Sequence, residues 1–231
     1  MLWPLNVIVF DLETGGLWCH NNPIIEIALV GINQNLEKVF TYENYVKPYK
    51  GKKTEEFPLG KELIVTKEAL DANGINMKEV MDKGLDAKKV YKDLVEKFKN
   101  FKSGKFQKPL LAGHNIGNFD LAFLEYLFDL FEEPSANGVK ALYKYVDRFV
   151  FDTITYSRLK FGMKELPNYQ LGNICKSFGI ELNDAHRALN DTLATTDLVC
   201  KYISDIREGK IQAEGNLNKV TKFRDSFQFQ F

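Results

Sequence analysis

Cysteine is scarce and scattered. Cys19, Cys175 and Cys200 share no metal-ligand spacing. An odd, dispersed set of this kind points to reduced thiols and a cytosolic-type compartment, so a cytoplasmic location is expected. Cys175 and Cys200 fall in apolar helical patterns and read as small core residues. No apolar run reaches the ~18 residues of a membrane span, so a membrane is not expected as a partner. No basic segment precedes the first apolar run, which argues against a cleaved signal peptide. Net charge is also missing: 31 basic residues balance 31 acidic ones. No global basic field advertises nucleic-acid binding. That class stays open, because an acidic metal site can sit in a neutral total while metals and local lysines meet phosphates. Internal repeats and long low-complexity tracts are absent. What is present is 231 residues, 45% apolar and 27% charged. This suits one soluble α/β domain with a sizeable core and an appended tail.

The chain is organised around Val7-Ile8-Val9-Phe10-Asp11-Leu12-Glu13-Thr14-Gly15-Gly16. Four consecutive apolar residues predict a strand buried on both faces. Asp11 and Glu13 then stand two apart, so their side chains share a face. Two carboxylates so placed repel each other, and burial makes their charged forms costlier. Either a divalent metal neutralises them or they are solvated acids at a polar strand end.

Further along, Ile24 to Ile32 and Val39 to Val46 predict two more strands, giving an antiparallel meander. Glu26 interrupts the first of these and faces either the acid pair or solvent. Residues 50–61 are lysine-rich and read as a surface loop. Thr66 caps a short helix that Gly74 ends. A clearer helix spans 87–100, with Val90, Leu94, Val95, Phe98 and Phe101 on its apolar side. The run Lys97, Lys99, Lys102, Lys105, Lys108 carries Phe101 and Phe106. It reads as a solvated helix end in preference to a track for a nucleic-acid backbone. Pro109 to Gly113 predicts a fourth strand, and Asp120 opens the helix after it. A short strand at 149–151 precedes a helix opened by Asp152-Thr153. Tyr169 to Phe178 predicts another helix, and the last long one runs from near Arg187 to about Ile206. Strands alternating with helices after a meander imply a mixed α/β sheet flanked by helices.

The last helix carries an inward stripe of Ala188, Asp191, Thr195, Leu198 and Tyr202. An isolated carboxylate there is expensive to bury, so Asp191 needs a partner. His186 lies just upstream, with an ordinary pKa suited to proton transfer at neutral pH. Each feature is weak alone. Together, Asp11 and Glu13 on a buried strand, Asp120 at a helix start and His186-x4-Asp191 converge on a two-metal site.

These segments resemble the DEDDh 3′→5′ exonucleases of the ribonuclease H-like fold, over about residues 5–205. The family's members include the proofreading epsilon subunit of bacterial DNA polymerase III and the RNase T-like exonucleases. Phe10 to Gly16 is similar to the first motif, His114-Asn115 with Phe119-Asp120 to the second, and His186 to Asp191 to the third. The resemblance implies that Asp11, Glu13, Asp120 and Asp191 hold two Mg²⁺ or Mn²⁺ ions and that His186 activates the attacking water. It implies backbone contacts from Leu12 to Thr14 on the terminal sugar, and Leu17 on the terminal base. His114 and Asn115 belong to the implied substrate-binding set. Two departures stand out. Gly15 replaces a commoner threonine, and three residues separate His114-Asn115 from Phe119-Asp120 where many bacterial members have two. Residues 50–61 and 135–148 look like insertions.

The expected activity is hydrolysis of single-stranded 3′ ends to nucleoside 5′-monophosphates, DNA favoured, in replication or repair proofreading. An RNA-processing exoribonuclease is the alternative, as is a polymerase-associated module with decayed activity. A ribonuclease H-like endonuclease ranks lower, since it does not need the His-x4-Asp placement. The expected organisation is an exonuclease domain at 1–206 and a tail at 207–231. Alternating Phe and Gln at the end of 216–231 suit docking on a DNA polymerase or sliding clamp.

Overall fold

Val7–Thr14 forms β1, buried along most of its length, and the rest of the sheet assembles on it. The computed structural model describes residues 5–161, 166–182 and 187–208. β2 (Ile24–Ile32) pairs antiparallel with β1, and β3 (Lys38–Tyr45) pairs antiparallel with β2. This is the predicted meander. β4 (Leu110–Gly113) joins the other side of β1 in parallel, and β5 (Val150–Asp152) joins β4 in parallel. The resulting order is β3-β2-β1-β4-β5. A mixed five-stranded sheet flanked by helices is the architecture expected of a ribonuclease H-like fold.

Every residue of β2 is buried, because it lies between two strands with helices against it. Its one acid, Glu26, is only 1% exposed. The solvent-facing option for Glu26 is thus excluded. β3 alternates between covered and open positions, as an edge strand with one packed face does.

The first helix, α1 (Lys67–Asn73), starts on Thr66, whose hydroxyl accepts from Ala69 N, and stops at Gly74. Gly74 adopts φ 63°, a left-handed conformation that favours glycine. A second short helix, α2 (Met77–Lys83), was not anticipated; Asn76 caps it by accepting from Lys78 N. α3 (Ala87–Asn100) and α4 (Asp120–Phe131) pack one apolar layer on the sheet. A 3-10 turn at Ala141–Lys144, also unanticipated, tucks Ala141 and Leu142 into the same core. α5 (Thr153–Lys160), α6 (Leu171–Ser177) and α7 (Ala188–Arg207) complete the regular structure of the described residues. α6 begins at Leu171, two residues later than its apolar pattern suggests.

The basic run is engaged locally. Lys97 Nζ lies 5.1 Å from the Phe40 ring centre and 5.0 Å from that of Tyr42. Lys99 sits over Tyr145, and Lys108 Nζ donates to the Tyr143 carbonyl at 2.6 Å. Cys175 is buried, as its apolar setting predicts, whereas Cys200 is only partly so. Among the described residues, no helix is long and apolar enough to cross a membrane. The tail from residue 209 onward lies outside the described residues.

Candidate active site

Strand alternation sorts β1 into two sides. Ile8, Phe10 and Leu12 enter the core under α3 and α4, while Val7 and Val9 pack with Val199 of α7. Asp11 and Glu13 continue the second set, so they too are directed at α7. The N-terminal half of that helix can lie close to the sheet because its inner side is made of small residues: Ala188, Thr192, Ala194, Thr195 and Thr196 are buried. Two of the threonines satisfy their hydroxyls within the helix. Thr192 Oγ1 donates to the Ala188 carbonyl at 2.6 Å and Thr196 Oγ1 to that of Thr192 at 2.7 Å.

The approach brings Asp191 to the acid pair. One carboxylate oxygen each from Asp11, Glu13 and Asp191 lies within 4.8 Å of the other two. Asp120 arrives from a different direction. It is the first residue of α4, 5% exposed, and its Oδ1 accepts from Leu12 N at 3.2 Å. It is thereby fixed to the residue between Asp11 and Glu13. That amide is consequently occupied, so any backbone contact of Leu12 with a sugar has to use a different atom.

The electrostatics are those of clustered acids drawn partly out of water. Burial pushes the Asp11 carboxyl well above its usual range, and the charges of Asp120, Glu13, Asp191 and Glu26 push the same way. Burial raises Glu13 to about 7, although the Asn73 side chain opposes the shift. Asp120 is raised by burial to about 7, with its own amide and that of Leu12 opposing. Hard carboxylate oxygens at this separation, desolvated and mutually repelling, fit a divalent cation of the Mg²⁺ or Mn²⁺ type.

The turn after the acids is tight. Gly15 N donates to the Pro23 carbonyl at 2.8 Å, and Gly15 O accepts from Thr66 N at 2.8 Å. A Cβ on Gly15 would come within 2.9 Å of Pro23 Cδ and 3.0 Å of Val65 Cα. Glycine in place of the commoner threonine is therefore required by this packing. Thr14 is buried, and its hydroxyl donates to the Gly16 carbonyl at 2.7 Å. Beyond it, Leu17 and Trp18 are 73% and 70% exposed. They line a cavity of about 610 Å³ together with Asn22, Ile64 and Ala69.

His114 and Asn115 lie at the end of β4. The His114 ring meets Thr153 Oγ1 at 2.8 Å, and burial lowers its pKa. Asn115 has φ 62° and turns the chain toward α4. Asp152 holds this turn: its carboxylate accepts from the amides of Asn115, Gly117 and Ile154 at 3.1, 3.1 and 2.9 Å. Sequence reading passed over that role, and also over Asn73, whose Nδ2 donates to the Thr14 carbonyl at 3.3 Å. His186 lies outside the described residues; its neighbour Arg187 occupies the N-cap position of α7.

Comparison with known proteins bears on the family and the fold. The RNase T family model, described as exonuclease, matches residues 8–199. The PolC-type DNA polymerase III of Caldanaerobacter subterraneus subsp. tengcongensis is 30% identical over 218 residues, 94% of this chain and 13% of that protein. The Bacillus subtilis counterpart is 29% identical over 222 residues, again 13% of its length. This chain thus spans about an eighth of those relatives. Among solved structures, E. coli exonuclease I in complex with a dT13 oligonucleotide superposes with TM-score 0.67 at 18% identity, covering 90% of this chain and 42% of that one. Exonuclease I from Methylocaldum szegediense gives 0.62 at 19% identity, with 90% and 42% coverage. The match across most of the chain, with the three acidic motifs converging in one fold, places it: the chain belongs to the RNase T exonuclease family, as a DEDDh-type 3′→5′ exonuclease.

Proposed function

We propose that this chain hydrolyses nucleic acid from 3′ ends, releasing nucleoside 5′-monophosphates, with single-stranded DNA as the favoured substrate. The observation that carries the reading is the meeting of the Asp11, Glu13 and Asp191 carboxylates within 4.8 Å. Together with Asp120, held close by the Leu12 amide, those three would hold the two divalent ions. When bound, Mg²⁺ or Mn²⁺ supplies positive charge against the phosphodiester and its departing 3′ oxygen. The chain's own groups do the rest. β1 presents Asp11 and Glu13 on one face, and the Leu12 amide holds Asp120 in orientation. His186, one residue before Arg187, accepts the proton of the attacking water. Leu17 and the cavity beside it receive the terminal base, and the backbone near Thr14 meets the sugar. His114 and Asn115, fixed by Thr153 and Asp152, border the same strand ends.

DNA is favoured because the polymerase relatives are DNA polymerases and an exonuclease I neighbour is bound to dT13. A proofreading role beside a polymerase follows the same similarity. In that setting residues 1–206 form the catalytic unit, and 207–231 a tail whose 216–231 stretch docks on polymerase or clamp, in the cytoplasm.

The test is a time course on matched 5′-labelled DNA and RNA oligonucleotides with Mg²⁺, beside an Asp191→Ala control. A one-nucleotide ladder from the 3′ end, faster on DNA and absent in the control, is expected. A faster RNA ladder makes the chain an exoribonuclease. No ladder with folded protein, in Mg²⁺ or Mn²⁺, overturns the proposal in favour of a decayed module.

A further inference from the structure

Two buried acids among the described residues, Glu26 and Asp129, lie outside the reaction scheme, and Glu26 is the deeper. Glu26 is the third residue of β2, 1% exposed, in a strand whose other residues are apolar or glycine. Its cross-strand partner in the β1–β2 register is Glu13. Like charges directly opposite each other are unfavourable in a sheet. An apolar residue would serve the core better there, so the acid needs a specific reason.

That reason is at the start of α7. Arg187, the N-cap residue, makes no side-chain capping bond of its own. The cap comes from another element: Glu26 Oε2 accepts from Ala188 N at 3.2 Å. A carboxylate at a helix N-terminus meets both an otherwise unpartnered amide and the positive end of the helix dipole. Glu26 Oε1 also accepts from the Arg187 guanidinium at 3.1 Å. The same guanidinium nitrogen donates to Tyr45 Oη at 3.0 Å, and the group lies 5.8 Å from the centre of that ring. Arg187 is held by two strands at once. The first helical bond then runs from Asp191 N to the Arg187 carbonyl at 3.1 Å. Fixing Arg187 fixes Asp191 one turn later.

We infer that Glu26 and Arg187 are positioning residues. Glu26 caps α7 from β2, directly across from Glu13, and Arg187 locks the cap, so that Asp191 is held in register with Asp11 and Glu13. The pair spans 161 positions of sequence and joins the strand beside two acids to the helix carrying the third. It also ends the segment that contains His186. The inference rests on the reading that these three carboxylates bind the metal.

The test compares Glu26→Gln, Arg187→Ala, Arg187→Lys and the Glu26→Gln/Arg187→Ala double variant with the unaltered chain. Lys38→Ala serves as a control, because the Lys38–Asp197 ion pair at 2.8 Å touches the same helix on its open side. Two quantities are read: Mn²⁺ affinity by calorimetry without substrate, and kcat and KM on a single-stranded DNA oligonucleotide. Each single variant of the pair is expected to weaken Mn²⁺ binding and kcat by about 10–100-fold, as loss of a ligand's supporting partner does, with KM little moved. The double variant is expected to lose no more than the worse single one, since both act through one contact. Arg187→Lys keeps the charge but not the fork and should fall between. Lys38→Ala should match the unaltered chain in both measurements. Mn²⁺ affinity and kcat unchanged in Glu26→Gln, or losses that add in the double variant, overturn the inference. If Arg187→Ala does not fold, Glu26→Gln and Arg187→Lys still decide it. If the unaltered chain binds Mn²⁺ but cleaves nothing, the proposed activity fails while the Mn²⁺ affinities still test the pair.

Discussion

The two sides of β1 are built on opposite principles. Toward α3 and α4, Ile8, Phe10 and Leu12 meet an aromatic layer that fills its space. Phe98 and Phe128 stack with ring centres 5.9 Å apart, and Tyr91 meets Phe128 edge-on at 5.1 Å. Toward α7, Val7 and Val9 give way to Asp11 and Glu13, and the facing helix offers alanines and threonines. One side gains free energy by removing large apolar surfaces from water, about 1.5–3 kcal/mol for each large side chain fully buried. The other holds like charges together partly out of water, which costs free energy until a cation arrives. Stability and reactivity are thus separated across the thickness of a single strand.

Three experiments can break or sharpen that separation, taken from the largest effect down. Asp11→Asn should abolish cleavage, read as loss of the oligonucleotide ladder. The same change removes a desolvated charge and should raise the melting temperature in EDTA, by about 2–4 °C per kcal/mol relieved in a chain of this size. A variant that is inactive and also less stable in EDTA would mean the acid supports the fold.

Phe128→Ala attacks the opposite side. Phe128 is fully buried among rings, so truncation should cost about 3–5 kcal/mol by denaturant melting. Turnover per folded molecule, measured well below the melting point, should stay close to that of the unaltered chain. A large fall in turnover there would show that the two sides are coupled.

The third experiment removes the metal and varies pH. Glu13 and Asp120 titrate near 7 in the folded protein, against ordinary values of 4.5 and 3.8. Between those limits the folded state keeps protons that the unfolded chain has released. Stability contributed by these groups is therefore full at low pH and lost as pH rises toward 7. In EDTA the melting temperature should accordingly fall across this window. With Mg²⁺ the acids bind a cation in place of protons, so the gap between the Mg²⁺ and EDTA curves should widen as pH rises. A constant gap would place the ion elsewhere.

Much of this was legible in the chain itself, and for identifiable reasons. Asp11 and Glu13 end an apolar run, Asp191 interrupts an apolar stripe, and Asp120 opens a helix after a buried strand; each is a local departure from a period. The meander was readable from short turns between strands. Glu26 was visible only as an interruption, because its partner lies 161 residues away and no local pattern announces such a pairing. Asp152 was read as a helix opener, yet its bonds to Asn115 and Gly117 depend on the parallel pairing of β4 and β5. α2 is seven residues long, too short for an apolar stripe to declare itself. The requirement for glycine at 15 comes from Pro23 and Val65 crossing close by.

The bond from Leu12 N to Asp120 Oδ1 has a further meaning for synthesis of the chain. Residues 7–131 carry three of the four acids, and within them strand pairing and this bond can already fix Asp11, Glu13 and Asp120 in one frame. Asp191 belongs to α7, and it joins that frame only after β5 and α6 have been made. A partly translated chain therefore carries an incomplete acid set. The acid set is completed by α7, and a chain truncated before residue 188 would lack Asp191.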